Sequence, residues 1–161
     1  MITETATYAL GCFWGPEFHF SQVEGVVSCR VGYAGGYKEQ PTYGEVCSGT
    51  TGHAEAIEIQ YDPLRVDYRT LTKLFFEIHD PTQSGGQGPD IGDQYRSILF
   101  YHNEEQKRIA ADLSNQLKSK GVPVVTELEP AGIFWEAEPY HQGYYRKKGG
   151  LPYCHTYTKR F

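Results

Sequence analysis

The sequence is poor in the features that would take it out of the ordinary globular class. No apolar run approaches the ~18 residues that a membrane-spanning helix needs. The opening stretch MITETATYALG has neither the basic segment nor the apolar core of a secretion signal. The expectation is therefore a cytoplasmic protein whose thiols are kept reduced. Clustered positive charge is also missing: the 15 Lys and Arg residues are scattered and the net charge is −5, which argues against a nucleic-acid face. Cysteine is scarce, and Cys12, Cys29, Cys47 and Cys154 form no CxxC pair and no Cys/His zinc spacing. Any disulfide among them is expected to be a catalytic event rather than a staple. His53, His141 and His155 have no metal-ligand spacing either, which leaves hydrogen-bonding or structural roles. SGGQG, at 84 to 88, lacks the lysine and helix start of a phosphate loop. No repeat, low-complexity block or linker divides the chain.

Aromatic residues, by contrast, are plentiful, with 13 tyrosines among 161 residues. The pattern of apolar positions predicts strands over 4–10, 26–34, 54–61 and 95–101. A helix is expected from Phe13, with Pro16 tolerated in its first turn. Asp67 can cap a second helix, in which Leu71, Leu74, Phe75 and Ile78 share one face. Asn103 can cap a third, with Glu104 and Glu105 in the first turn and Gln106 placed to reach back. Short strands are expected in PVVTELE and IFWEAE, and a final helical turn in HQGYYRKK. Two glycine-rich loops stand out, one at 35–53 and one at 80–94, the first too long to be passive in a compact domain. Read in order, residues 4–101 give β-α-β-β-α-β, the split β-α-β arrangement of ferredoxin-like folds. The fold class is α+β: a mixed sheet with helices packed on it and an irregular C-terminal tail.

Chemistry is concentrated at GCFWG, 11 to 15. Cys12 falls where a strand gives way to a helix, where unpaired N–H groups and the helix dipole favour a thiolate. Gly11 and Gly15 leave room for close backbone approach. Phe13 and Trp14, turned outward, would form an apolar wall beside the sulfur.

GCFWG continued as PEFHF resembles the signature of the peptide methionine sulfoxide reductases of the A type. VGYAGG (31–36), PTYGEVCSGTTGHAEAIEIQYDP (41–63), FFEIHDPTQ (75–83), DIGDQYRS (90–97) and AEPYHQGYY (137–145) look like further segments of that family, in family order. Together they cover nearly the whole chain. The resemblance implies one catalytic domain over 1–161, with a mobile C-terminal segment from about 146. It implies reduction of methionine S-sulfoxide, free or protein-bound, by a thiolate at Cys12. A sulfoxide is a poor electrophile until its oxygen is protonated, so an acid is needed, and by similarity it is Glu55. A carboxyl in an apolar pocket holds its proton near neutral pH. On its own, period-2 alternation also allows a surface role, because Glu55 and Glu58 cannot face the same way.

By the same resemblance Phe13 and Trp14 hold the S-methyl group, Tyr43 and Tyr95 hydrogen-bond the sulfoxide oxygen, and Asp90 orders the site. Cys154, in a glycine-flanked tail, matches the resolving cysteine that condenses with a Cys12 sulfenic acid. Thioredoxin, or dithiothreitol in vitro, would then reduce the Cys12–Cys154 disulfide, with no bound cofactor and the protein acting as a monomer. Cys47 matches a position that is not generally the resolver, and Cys29 reads as filler in a strand. Two other readings stay open from the residues: a cysteine hydrolase pairing Cys12 with His53 or His141, and a non-catalytic redox sensor or methionine-binding module.

Overall fold

The computed structural model describes residues 2–152 and 155–161. Its elements in chain order are β1 (Glu4–Leu10), α1 (Trp14–Phe20), β2 (Val26–Ala34), α2 (Tyr43–Cys47), β3 (Ala54–Tyr61), α3 (Tyr68–Glu77), β4 (Gly86–Gln87) and β5 (Asp90–Ile91). They continue with a 3-10 turn (Asp93–Tyr95), β6 (Ser97–Tyr101), α4 (Glu104–Ser119), β7 (Glu127–Pro130), β8 (Trp135–Glu136), a second 3-10 turn (Pro139–His141) and α5 (Tyr144–Lys148).

Six strands form one sheet in the order β7-β6-β1-β3-β2-β8. The inner four, β6-β1-β3-β2, are antiparallel neighbours throughout, which is the split β-α-β core expected from the sequence. The sheet is mixed because β7 runs parallel to β6. Strand alternation sorts the side chains onto two faces. On one, Tyr8, Ile57, Ile59 and Leu99 pack against Phe20 of α1, Leu71, Phe75 and Phe76 of α3, and Leu113 and Leu117 of α4. Burial of each such side chain contributes about 1.5–3 kcal/mol before the entropy of ordering is counted. The other face is small-residue rich, with Ala9, Ala34, Ala54 and Ala56 beneath Phe134.

The caps form as the residue types require. The Asp67 side chain accepts from the Thr70 N–H at 2.7 Å, and Asn103 accepts from Gln106 at 2.9 Å. Three boundaries differ from expectation. The strand predicted from 95 starts at Ser97, because Tyr95 lies in the 3-10 turn with its N–H on the Gly92 carbonyl. The outer strands β7 and β8 are shorter than their apolar runs. The loop at 35–53 contains α2, where Thr42 and Glu45 form a reciprocal capping box.

Residues 157–161 lie along α3. Glu77 accepts hydrogen bonds from Tyr157 Oη and from the Arg160 and Thr158 backbone, and Phe161 meets Phe76 edge-on.

Candidate active site

β1 ends at Leu10, and Gly11 turns the chain with φ +97°, a conformation that a side chain would strain. The turn delivers Cys12, 8% exposed, to the start of α1. The two motif glycines face inward rather than toward a substrate. A Cβ on Gly11 would sit 2.8 Å from that of Gln87, and one on Gly15 would collide with the His155 ring. Phe13 is not turned outward as expected: it is fully buried, with its ring against Tyr33, His141 and the expected site residue Tyr43, whereas Trp14 is half-buried.

β3 carries Glu55 on the same face as Ile57 and Ile59, and the carboxyl is buried. Its Oε1 accepts from the Phe13 N–H at 3.2 Å, next to Cys12 in the chain, while its Oε2 has no hydrogen-bond partner among the described residues. Desolvation pushes the pKa up to about 8; the Phe13 N–H works against that and the Asp90 charge adds to it. A carboxyl in that state keeps its proton at neutral pH and can donate it.

Tyr43 opens α2 and Tyr95 closes the first 3-10 turn, so each of the two expected tyrosines comes from its own glycine-rich loop. Burial holds both phenols well above their ordinary range, and the Glu55 charge is the next cause for each. Tyr95 also feels Asp90, Cys47 and Cys12, so these groups occupy one neighbourhood. Asp90 is delivered there by the β4–β5 hairpin, in register with Gln87, whose buried side chain bonds both backbone groups of Asp80. Arg96 ties the two loops together by donating to the Gly52 carbonyl at 2.6 Å.

Behind the tyrosines lies a layer that the sequence did not reveal. Glu138 accepts from Tyr33 Oη at 2.8 Å and from the Tyr43 N–H at 3.0 Å. Burial disfavours its charge, yet these hydrogen bonds hold its carboxyl below the ordinary range. His141 Nδ1 accepts from Trp14 Nε1–H at 3.0 Å, and Tyr144 stacks on the Trp14 ring at 3.8 Å and 6°. The indole is thus fixed from two sides. Gln142 acts as a surrogate strand, its side chain exchanging bonds with both backbone groups of Val31 at 2.9 and 2.8 Å. Only the sequence order EPYHQGYY hinted at this cluster, with no periodicity to mark it.

Neither histidine of the hydrolase reading is available as a base. His53 Nδ1 accepts from the Gly36 N–H and its Nε2 bonds the Lys38 carbonyl, so both nitrogens are committed. The His141 acceptor nitrogen is taken by Trp14. Cys29 sits on β2 with its thiol pushed up to about 12 by burial and by Glu17. It lines a cavity of about 520 Å³ with Glu17, Gln142 and Arg146, a space lined by none of the predicted site residues among those described. Cys47 is exposed at the end of α2, beside Tyr43. Among the described residues no cluster of His, Cys, Asp or Glu is placed to hold a metal ion. No helix among them is long and apolar enough to cross a membrane. Cys154 lies outside the described residues.

Comparison with known proteins points to one family. The family model for peptide methionine sulfoxide reductase matches residues 4–161. The peptide methionine sulfoxide reductase MsrA of Methanosarcina acetivorans is 54% identical over 151 residues, covering 92% of this chain and 80% of that one. Among solved structures, reduced Mxr1 from Saccharomyces cerevisiae superposes with a TM-score of 0.89 at 38% identity, covering 99% of this chain and 93% of that one. Mxr1 in complex with Trx2 is similar with a TM-score of 0.65 at 28% identity, covering 96% and 89%. By sequence over nearly its full length, and by fold, the chain belongs to the peptide methionine sulfoxide reductase family of MsrA enzymes.

Proposed function

We propose that Cys12 is the nucleophile and Glu55 the acid in reduction of methionine S-sulfoxide, free or within oxidised proteins. The Cys12 thiolate attacks the substrate sulfur as Glu55 gives its proton to the oxygen. Oxygen ends on Cys12 as a sulfenic acid, methionine departs, and Glu55 is left as the carboxylate. Two electrons leave the cysteine sulfur and two enter the sulfoxide sulfur, so the step balances. Tyr43 and Tyr95, kept protonated by their surroundings, donate hydrogen bonds to the oxygen as its charge develops. Phe13 and Trp14 receive the methyl group, and Asp90 helps order the site, its charge adding to the burial that keeps Glu55 protonated.

Cys154 then condenses with the sulfenic acid to a disulfide, releasing water. A thioredoxin dithiol reduces that disulfide, a step supported by the solved complex of the yeast relative with Trx2. The protein works as a single catalytic domain and a monomer, in the cytoplasm, repairing oxidised methionine without a bound cofactor.

The observation that carries this reading is the buried Glu55 carboxyl, which accepts from the N–H of the residue beside Cys12 and whose Oε2 has no partner among the described residues. A cysteine hydrolase has no use for such an acid, and a binding module needs neither acid nor second thiol. The test is incubation with each sulfoxide epimer and dithiothreitol, then mass mapping of disulfides in the oxidised protein. Cys12→Ser is expected to abolish reduction. Cys154→Ser is expected to allow a single turnover and to block cycling with thioredoxin. Full cycling by Cys154→Ser overturns the resolving assignment and transfers it to the exposed thiol of Cys47.

A further inference from the structure

Helix α5 has only five residues and begins at Gly143, whose left-handed backbone (φ +66°) brings no side chain to cap it. Its first N–H groups lack partners within the helix, and a helix this short is not stable on its own in water. The acceptor comes from another element. Glu17 on α1 is buried, and its Oε1 accepts from the Gly143 N–H at 2.7 Å. The Tyr144 N–H is a second donor to the same carboxyl. Burial disfavours the Glu17 charge, while these two N–H groups, and then Arg146 and Lys147, favour it.

Glu17 follows Trp14 by three positions, so the two side chains share one side of α1. Trp14 meets the Tyr144 ring at 3.8 Å and 6°, and Glu17 meets the Tyr144 backbone. Phe18 meets Tyr145 edge-on at 6.1 Å. One helix thus grips Tyr144 at both its N–H and its ring. α1 does not depend on that grip for its own place. Phe20 anchors it in the core, and His19 donates through Nε2 to the His155 carbonyl at 2.8 Å. The His155 ring in turn donates to the Leu10 carbonyl at 2.6 Å, at the turn before α1. Loss of the Glu17 carboxyl therefore releases α5 and leaves α1 where it is.

We propose that Glu17 is a positioning residue for substrate. By holding the backbone at Gly143 and Tyr144, it keeps the Tyr144 ring flat against Trp14 and so fixes the indole that receives the S-methyl group. This rests on the reading of Trp14 as part of the methyl site. Glu17 touches none of the reacting groups, so its effect falls on how firmly the sulfoxide is held, not on proton or electron transfer.

The experiment is single-turnover methionine release by the full-length reduced protein, with methionine S-sulfoxide varied and no reductant added. It gives the half-saturating concentration and the limiting rate separately, free of the recycling step. Glu17→Leu, which fills the space but cannot accept, is expected to raise the half-saturating concentration about threefold to tenfold, the range an aromatic pair is worth. The limiting rate is expected within about twofold of wild type. Glu17→Gln, which keeps an acceptor oxygen, is expected to recover most of the loss. Glu17→Asp keeps the charge but falls one carbon short of Gly143, so the same rise is expected, and it replaces Glu17→Leu if that variant does not fold. Tyr144→Ala is expected to match them, and the double variant to be no worse than either single one, because both act through one stack. Additive losses, a loss confined to the limiting rate, or an unchanged half-saturating concentration overturns the proposal. Trp14→Leu separates that failure from failure of the methyl reading. A rise there leaves the methyl reading standing whatever Glu17 does, and no rise overturns both.

Discussion

Glu55 and Glu58 stand on the same strand and look out from opposite faces of the sheet. Glu55 faces the helices, with no cation beside it among the described residues, and burial leaves it protonated near neutral pH. Glu58 faces the alanine-rich side, where Arg30 Nε bonds its Oε1 at 2.6 Å. That guanidinium also bonds Glu136 and lies over the Phe134 ring at 4.8 Å. The residue type is the same, so the difference in chemistry comes from what each face supplies. One face offers aromatic rings and a single N–H, the other a planar cation. An acid for catalysis is made by withholding a partner, and a structural ion pair by providing one.

The comparison is tested hardest at Glu55. Glu55→Gln is expected to lower kcat/KM by about 10²–10³-fold, the usual contribution of a positioned acid. In wild type the rate is expected to fall as pH rises through about 8, and that alkaline limb should vanish in the variant. The same shift bears on stability. Because the folded pKa is raised, Glu55's contribution is fully present below its unfolded value and is lost as pH rises through about 8. Glu55→Gln should therefore be the more stable protein above that pH, by on the order of a few kcal/mol. Denaturant titration at pH 6 and pH 9 checks the sign.

A smaller effect is expected from the neighbours that share the Glu55 face. Tyr43→Phe and Tyr95→Phe should each cost about tenfold in kcat/KM, as loss of one hydrogen bond to a developing negative charge. Steady-state kinetics on one epimer decides it, and a drop confined to KM would remove the tyrosines from the chemistry. The smallest effect belongs to the opposite face. Glu58→Gln should leave turnover unchanged and cost less than about 1 kcal/mol, because Arg30 is partly solvated and keeps Glu136. A turnover defect in that variant would mean that the two faces are coupled.

Much of the fold was legible because it rests on local patterns. The spans 4–10, 26–34 and 54–61 form strands as their apolar alternation predicts, and Asp67 and Asn103 cap where their side chains can reach. The short helix α2 was also written in the chain, as Thr42 and Glu45 at capping-box spacing, but the surrounding glycines masked it. What local pattern cannot carry is who meets whom across the chain. Nothing near Tyr43 announces that Glu138 will hold its N–H, or that Gln142 will stand in for a strand beside Val31. Motif glycines mislead for the same reason. Gly15 looks like clearance for a ligand, and its neighbour proves to be His155.

The bond from His155 to Leu10 spans 145 positions of sequence. A ribosome adding about 5–20 residues per second needs roughly 7–30 s to travel that far. Throughout that interval the turn bearing Cys12 exists as chain but lacks the ring that fills it. No N-terminal fragment can complete the turn, so a truncated or stalled product carries the cysteine without its finished setting. Completion of the reactive corner is thereby deferred until residue 155 has been made.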